Sequence, residues 1–252
     1  MIDAWKIPLL FTTGLAAGFV DSIAGGGGLI TLPVMLNLIP DPQLAFGTNK
    51  MQACFGSASA AGHYAHAGAV NLRECGRGFL LTLLGAALGT LVVQRVGAHF
   101  LKVAAPLLLL AVAFYTITRP HLGEHSYPPK LSRTRFDVLF GLTIGFYDGF
   151  FGPGTGTFWT MAFVMALGLQ LTQAIAATKV YNFASNLCSF ALFAWAGRVD
   201  YAAGAAMGLG QLLGARFGSK LVMRRGTKII RPLFIAVVLG LTGKLLYDAF
   251  LK

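Results

Sequence analysis

The chain has 252 residues, of which 56% are hydrophobic and only 12% are charged. A soluble domain carries about twice that charged fraction, so the composition excludes an ordinary soluble protein and predicts a polytopic membrane protein. The formal net charge of +11 does not indicate a nucleic-acid partner. The basic residues cluster in short segments between apolar runs, as the positive-inside rule describes for membrane proteins.

The predicted elements begin with a broken pair of apolar segments. One covers about residues 5–20, the glycine tract Gly25–Gly28 follows, and a short apolar piece over 29–39 ends before Pro40. The short piece spans about 16 Å, roughly half of the hydrocarbon thickness. In hydrocarbon, each unsatisfied backbone group costs several kcal/mol. We therefore predict a re-entrant helix pair whose glycine tract is enclosed by protein or by a water-filled cavity.

Three further apolar segments are predicted, over about residues 49–68, 77–96 and 101–118. A polar linker over 119–135 is the predicted boundary between a first repeat, 1–118, and a second repeat, 136–252. The N-terminus lacks the basic region and cleavage site of a signal peptide, so we expect its apolar run to remain as the first membrane segment. The three cysteines indicate neither a disulfide framework nor a zinc site.

The second half of the sequence repeats the first. Gly18–Asp21 matches Gly145–Asp148 at an offset of 127, and Ala65–Asn71 matches Ala194–Asp200 at an offset of 129. A second glycine-rich tract therefore follows Asp148, as the first follows Asp21. We predict an all-α polytopic membrane protein of two homologous repeats. Each repeat would contain a broken re-entrant helix pair and three spanning helices, which gives about eight to ten membrane segments in all.

The distribution of lysine and arginine predicts how the repeats are oriented. If each broken pair crosses the membrane once, the halves are parallel and the loop residues divide ten to eight between the two sides. If each pair returns to its starting side, the halves are inverted and the division is twelve to six. The second division fits the positive-inside rule better. We therefore predict inverted repeats with both termini outside the cytoplasm.

Two lysines are the sharpest candidates for a functional site. Lys50 and Lys179 occupy the same place in their repeats, each near the start of an apolar span. A charge inside the membrane is costly and usually functional, although a lysine at a helix end can also extend its ammonium to the interface. The polar neighbours of both lysines favour an anion site. Asn182 and Asn186 lie four residues apart and so share a helix face with Lys179.

The two glycine tracts provide a second indication of an anion site. A half-helix that begins after a glycine-rich break directs its N–H groups and positive partial charge into the cavity. Close helix packing alone would explain isolated glycines but explains a run of four poorly. The predicted substrate-binding residues are Asn49, Lys50, Gln52, Thr178, Lys179, Asn182, Gly25, Gly26, Gly27, Gly28, Gly152 and Gly154.

Asp21 and Asp148 stand out as the only acids predicted to lie well inside apolar stretches. They could carry protons that are coupled to transport, or they could accept hydrogen bonds from backbone N–H groups at the breaks, as helix caps do. His63 and His66 lie three residues apart but have no third ligand nearby, so the sequence predicts no metal site. It also predicts no cofactor.

At these residues the chain resembles the sulfite exporter family, also called the TauE/SafE-like family. The resemblance rests on the stretch Gly18–Gly28, on Gly47–Lys50, and on the blocks Gly145–Gly156 and Thr178–Lys179. It covers nearly the whole chain. The second tract carries Gly-Pro-Gly-Thr-Gly after aromatic residues, so the two half-sites are not equivalent.

The resemblance implies a secondary transporter of the bacterial inner membrane without an ATPase. Its expected substrates are small sulfur-containing anions: sulfite, sulfoacetate or other organosulfonates. We therefore predict alternating access of two repeats around an anion site, with protons as a candidate coupling ion, and we expect a lipid bilayer and a small anion as the partners. An anion channel is the alternative within transport. An intramembrane enzyme is the alternative outside it, although the acids are few and no Ser-His-Asp arrangement is evident.

Overall fold

The computed structural model describes residues 6–97, 100 and 128–225. Within these ranges the fold is all-α, as predicted, with eight helices and no strand. The span predicted over 101–118 lies outside the described residues, as do residues 119–127 of the predicted linker and residues 226–252 of the predicted second repeat. The helices, numbered in chain order, are α1 (Lys6–Ala24), α2 (Gly27–Leu38), α3 (Pro42–His66), α4 (Leu72–Arg95), α5 (Arg133–Phe150), α6 (Thr155–Leu167), α7 (Leu171–Trp195) and α8 (Tyr201–Arg225).

The two breaks are shorter than the glycine tracts suggest. The first helix continues through Asp21 to Ala24, and the second already begins at Gly27, so only Gly25 and Gly26 are outside a helix. Gly26 is the N-cap of α2 with φ 102°, and Gly154 is the N-cap of α6 with φ 81°. A left-handed backbone favours glycine, which explains why both breaks require it.

The third helix begins seven residues earlier than the predicted segment. Asp41 caps it, because its carboxylate accepts a hydrogen bond from the N–H of Gln43 at 3.0 Å, and Pro42 occupies the first helical position. Both residue types favour a helix start. Lys50 therefore lies about two turns inside α3 and is not at its start. The helix α5 begins at Arg133, within the range 119–135 given to the predicted linker.

Long helices of one half pack against long helices of the other half, in two pairs. In α1 and α8, Gly14 lies against Met207 and Gly218 against Phe19, so these helices run in the same direction. In α4 and α5, Gly141 lies against Leu81 and Gly149 against Ala86, so they also run in the same direction. The first helix of each half thus packs on the fourth helix of the other half.

The remaining contacts fix the directions of α3 and α7. Met51 and Ser59 of α3 lie against Gly204 and Leu212 of α8, so α3 runs parallel to α8. Gly78 and Thr90 of α4 lie against Tyr181 and Ser189 of α7, so α7 runs parallel to α4. At its N-terminal end α3 meets the C-terminal end of α7, because Gly47 contacts Phe193. Helices in corresponding positions of the two halves therefore run in opposite directions.

Apolar side chains lie on the outside of this arrangement, and many polar ones lie inside. Leu80, Leu84, Leu88 and Leu91 form an exposed stripe along α4. By length and hydropathy, α1 and α4 are the helices of the described part that are long and apolar enough to cross a membrane, while α2 and α6 are apolar but shorter. The other long helices are more polar because they bury the groups described next.

Candidate functional site

The two glycine breaks meet at the centre of the molecule. A Cβ atom on Gly25 would lie 2.6 Å from the carbonyl carbon of Gly156, and one on Gly28 would lie 3.2 Å from the Cα of Pro153. The backbones therefore touch where side chains would normally keep them apart. The N-termini of α2 and α6 consequently lie next to one another, with their positive ends in the same region.

Two buried ion pairs join the halves at this point. The Lys50 ammonium donates to Oδ1 of Asp148 at 2.6 Å and also to the Asp148 carbonyl. The Lys179 ammonium donates to Oδ2 of Asp21 at 2.8 Å. Lys50 corresponds to Lys179 and Asp21 to Asp148 in the duplication, so each ion pair joins a lysine of one half to the aspartate of the other half. Each lysine is neutralised by the aspartate that precedes the other half's break.

The two aspartates use their second oxygens differently. Oδ1 of Asp21 accepts a hydrogen bond from the backbone N–H of Gly27 at 3.1 Å, so Asp21 caps the first turn of α2. Oδ2 of Asp148 instead accepts a hydrogen bond from the Ser185 hydroxyl of α7. The Asp21 side chain is 20% exposed and that of Asp148 only 4%. Asp21 thus makes a hydrogen bond of the kind that a helix cap makes, and its carboxylate is also within reach of solvent.

A cavity of about 40 Å³ lies between the two breaks, with room for about three water molecules. The lining is dominated by charged, carboxamide and backbone groups. Its residues include Asp21, Asp148, Lys50, Asn49, Gln52, Asn182, Asn186, Gln211, Thr155, Gly26, Gly28, Gly152, Gly154 and Gly156. A space of this size and polarity suits a small polar or ionic ligand and is too small for a large organic molecule.

One side of the cavity is a network of neutral polar groups. The Thr31 hydroxyl donates to Oδ1 of Asn49 at 2.7 Å, and the amide of Gln52 donates to the same oxygen at 2.9 Å. Oε1 of Gln52 and Oδ1 of Asn182 are buried and have no hydrogen-bond partner among the residues that the structure describes. Buried polar atoms normally have a partner, so these two oxygens indicate a cavity that is completed by water or by a ligand.

The residues predicted from the sequence are brought together here, although not all of them face the cavity. Asn49, Lys50, Gln52 and Asn182 line it, as do four of the predicted glycines. Lys179 is fully buried beside it, against Asp21. Thr178 is also buried, but its hydroxyl lies 3.1 Å from that of Thr160 on α6. Gly25 and Gly27 support the backbone crossing and the Asp21 cap respectively.

Several residues of this region could not be named from the sequence. Gln211 comes from α8, and Thr31 and Ser185 reach the site from α2 and α7. Asn186 was recognisable, since it shares a helix face with Asn182. Gln211 had no comparable signal, because its place depends on the packing of α8 against α1, where its backbone lies against Gly18.

A third buried acid corrects the expectation that only two acids lie inside apolar segments. Asp137 of α5 is 1% exposed and accepts hydrogen bonds from Nε of Arg133 at 3.2 Å and from the Tyr181 hydroxyl at 2.9 Å. Nη2 of Arg133 also donates to that hydroxyl, at 2.9 Å. The sequence prediction missed Asp137 because it lies only one turn from the helix start, where acids are usually exposed.

Comparisons with known proteins show which family the sequence is similar to. The model of the sulfite exporter TauE/SafE family matches residues 10–245. A probable membrane transporter protein of Haemophilus influenzae is 43% identical over 96% of this chain and 95% of its own length. The probable membrane transporter protein YfcA of Escherichia coli K12 is 40% identical over 99% of this chain and 93% of its own. YjnA of Bacillus subtilis, also described as a probable membrane transporter protein, is 24% identical over 90% and 94%. No solved structure gives a significant match.

Proposed function

The chain belongs to the sulfite exporter TauE/SafE family, which is a family of membrane transporters and not of enzymes, and from this premise we propose what it carries and how. It moves a small sulfur-containing anion, such as sulfite, sulfoacetate or another organosulfonate, across the bacterial inner membrane. It works as a secondary-active transporter by alternating access, and protons are the coupling ion.

The observation that carries this proposal is the pair of exchanged ion pairs beside a polar cavity. Two ammonium groups and two half-helix N-termini converge on this region, and both kinds of group favour an anion. The ligand would be held by the carboxamide N–H groups of Asn49 and Asn182 together with Lys50 and Lys179, while the Gln52 amide donates to Thr31 and Asn49 and so orients the Asn49 carboxamide. The small cavity volume favours an inorganic oxyanion or a short sulfonate over a bulky one.

The opposite directions of corresponding helices support an arrangement of inverted repeats. Transporters of that kind place the substrate at broken helices between the repeats, near the middle of the membrane. Lys50 and Lys179 each lie eight residues into α3 and α7, which is about 12 Å from opposite ends of the bundle. Rocking of one repeat against the other would open the cavity first to one side and then to the other.

The basic residues support the orientation of this arrangement in the membrane. Apart from the two site lysines, the described part of the chain has nine lysine and arginine residues at the end where α3 finishes and three at the end where α3 begins. The nine are Arg73, Arg77, Lys130, Arg133, Arg135, Arg216, Lys220, Arg224 and Arg225, and the three are Lys6, Arg95 and Arg198. The positive-inside rule assigns the first end to the cytoplasm.

The test is a thermal-shift screen of the purified protein against sulfite, thiosulfate, sulfate, sulfoacetate, taurine and a carboxylate without sulfur. A ligand that binds the folded state raises its apparent stability by mass action. We expect one or more of the sulfur anions to raise the melting temperature and the carboxylate to leave it unchanged. No shift with any sulfur anion would contradict the proposed substrate class.

The lysines are tested in the same assay. Lys50→Ala alone would leave a buried carboxylate without its partner, at a cost of about 3–5 kcal/mol, so it is combined with Asp148→Asn. Lys179→Ala is combined with Asp21→Asn for the same reason. We expect both double variants to fold and to lose the ligand-dependent shift. If both keep the shift of the native protein, the lysines are not anion ligands.

A further inference from the structure

The ammonium of each site lysine is already paired with a carboxylate. The Lys50 ammonium has two acceptors on Asp148, and the Lys179 ammonium is held by Asp21. An ammonium has three donors; Asp148 occupies two of them at Lys50, and at Lys179 the paired carboxylate neutralises the positive charge that another anion would need. We propose that the transported anion and the carboxylate compete for the same ammonium. Protonation of the aspartate breaks its ion pair with the lysine, and the ammonium then pairs with the anion. This inference rests on the proposed function and specifies its coupling.

The charge balance around the cavity gives the physical reason. Two lysines and two aspartates neutralise each other, so an anion that enters adds an uncompensated negative charge close to two buried carboxylates. Like charges in a medium of low polarity repel strongly. A proton on one carboxylate removes the nearest negative charge and frees the ammonium to face the anion. Anion and proton therefore bind together, and they cross the membrane in the same direction.

Few other titratable groups of the described segments face these carboxylates. Asp21 is faced by Lys179 from α7 and by Tyr64 from α3. Asp148 is faced by Lys50 and Cys54 from α3 and lies beside Tyr147 of its own helix. The residue of α8 that contacts α1 near Asp21 is Gln211, which is uncharged. The two aspartates are thus the acidic groups placed to exchange protons with the site.

The unequal exposure of the aspartates indicates how the two pairs take turns. Asp21 is 20% exposed, whereas Asp148 is 4% exposed. The two pairs are equivalent in connection although their surroundings differ in sequence, and we assign their unequal exposure to one state of an alternating molecule. In the opposite state we expect the Asp148 pair to be the one that solvent reaches. Proton uptake at one pair and release at the other would then occur on different sides of the membrane.

The experiment measures the affinity of the purified native protein for sulfoacetate between about pH 5 and pH 8, a range in which the charge of this ligand is nearly constant. One linked proton increases the affinity up to about tenfold for each unit by which the pH falls. We expect the Asp21→Asn/Asp148→Asn variant to bind sulfoacetate with an affinity that does not change with pH. Asp41→Asn, which alters the exposed Asp41–Arg198 ion pair, should keep the native pH dependence.

A second measurement needs no variant. Sulfoacetate added to the native protein in a weakly buffered solution should cause proton uptake, which raises the pH. Binding without proton uptake, or an unchanged pH dependence in the double Asn variant, would overturn the competition while leaving anion transport in place. Absence of sulfoacetate binding at every pH, in a protein that binds no other anion of the screen, would overturn the proposed function as well.

Discussion

At the scale of single residues, the site consists of charges that are stable only as pairs. A buried ammonium or carboxylate is tolerated when it is paired and hydrogen-bonded, and it is very costly alone. Lys179 has no exposed side-chain surface and Lys50 has 2%, so neither lysine extends to the membrane interface. The snorkelling alternative for these lysines is therefore wrong, and the burial of both supports a functional interpretation.

The Arg133–Asp137–Tyr181 cluster gives a prediction that concerns stability alone. Tyr181→Phe removes the hydroxyl that donates to Asp137 and accepts from Arg133. Because the loss affects a buried charged group, we expect a decrease of about 1.5–3 kcal/mol in the free energy of unfolding. Thermal unfolding in detergent measures it.

The matched control for this prediction is Tyr201→Phe, at a tyrosine that is 57% exposed. A surface substitution of this kind usually changes stability by less than about 0.5 kcal/mol. Equal melting temperatures for the two variants would mean that the buried cluster contributes no net stability.

At the scale of helices, the glycines determine where the chain can break and cross itself. Gly25→Ala should be severely destabilising for two reasons: the position has φ 75°, and a Cβ atom would approach Gly156 to 2.6 Å. A left-handed backbone costs a non-glycine residue about 1–2 kcal/mol, and overpacking typically costs about 1–3 kcal/mol more. The comparison is Gly62→Ala in α3, where an added Cβ atom would have no neighbour within 4 Å in the described part of the chain.

We expect Gly62→Ala to be neutral or to stabilise the protein by up to about 1 kcal/mol, because alanine is the better helix former. The yield and melting temperature of the two purified variants give the measurement. If Gly25→Ala is as stable as Gly62→Ala, the two breaks do not pack closely in the folded protein.

The sequence predicts the bounds of these helices well where the residue type at a bound has a single physical explanation. Four adjacent glycines and Pro40 were sufficient to place a short helix within about two residues of its observed bounds. The start of α3 was missed because the predicted segment begins only at about residue 49, in a polar run, whereas the helix begins at Pro42. In a membrane protein whose polar groups face inward, a polar run can equally be the middle of a buried helix. Asp41 and Pro42 carried the correct signal.

At the scale of the whole molecule, the partners of each charge could not be predicted from the sequence. The duplication identifies Lys50 with Lys179 and Asp21 with Asp148, but it does not say which lysine meets which aspartate. Pairing within a half was equally compatible with the sequence. The exchanged pairs arise because α1 packs on α8 and α5 on α4, and this packing depends on close backbone contacts at Gly18, Gly89 and Gly214.

The orientation of the two repeats in the membrane can be tested at one pair of equivalent positions. Ala67 follows α3 and Ala196 follows α7; both are exposed and occupy equivalent positions of the duplication. Inverted repeats place them on opposite sides of the membrane, whereas parallel repeats place them on the same side. We expect Ala67→Cys to face the cytoplasm, because the basic residues cluster at that end, and Ala196→Cys to face the other side.

The measurement uses a membrane-impermeant thiol reagent on intact cells and on inverted membrane vesicles, in a background where Cys54, Cys75 and Cys188 are replaced by alanine or serine. Ala196→Cys should react in cells and Ala67→Cys in vesicles. Reaction of both cysteines in the same preparation would contradict inverted repeats. It would also mean that alternating access could not arise from two inverted halves exchanging equivalent conformations, and would require the rocking of parallel halves instead.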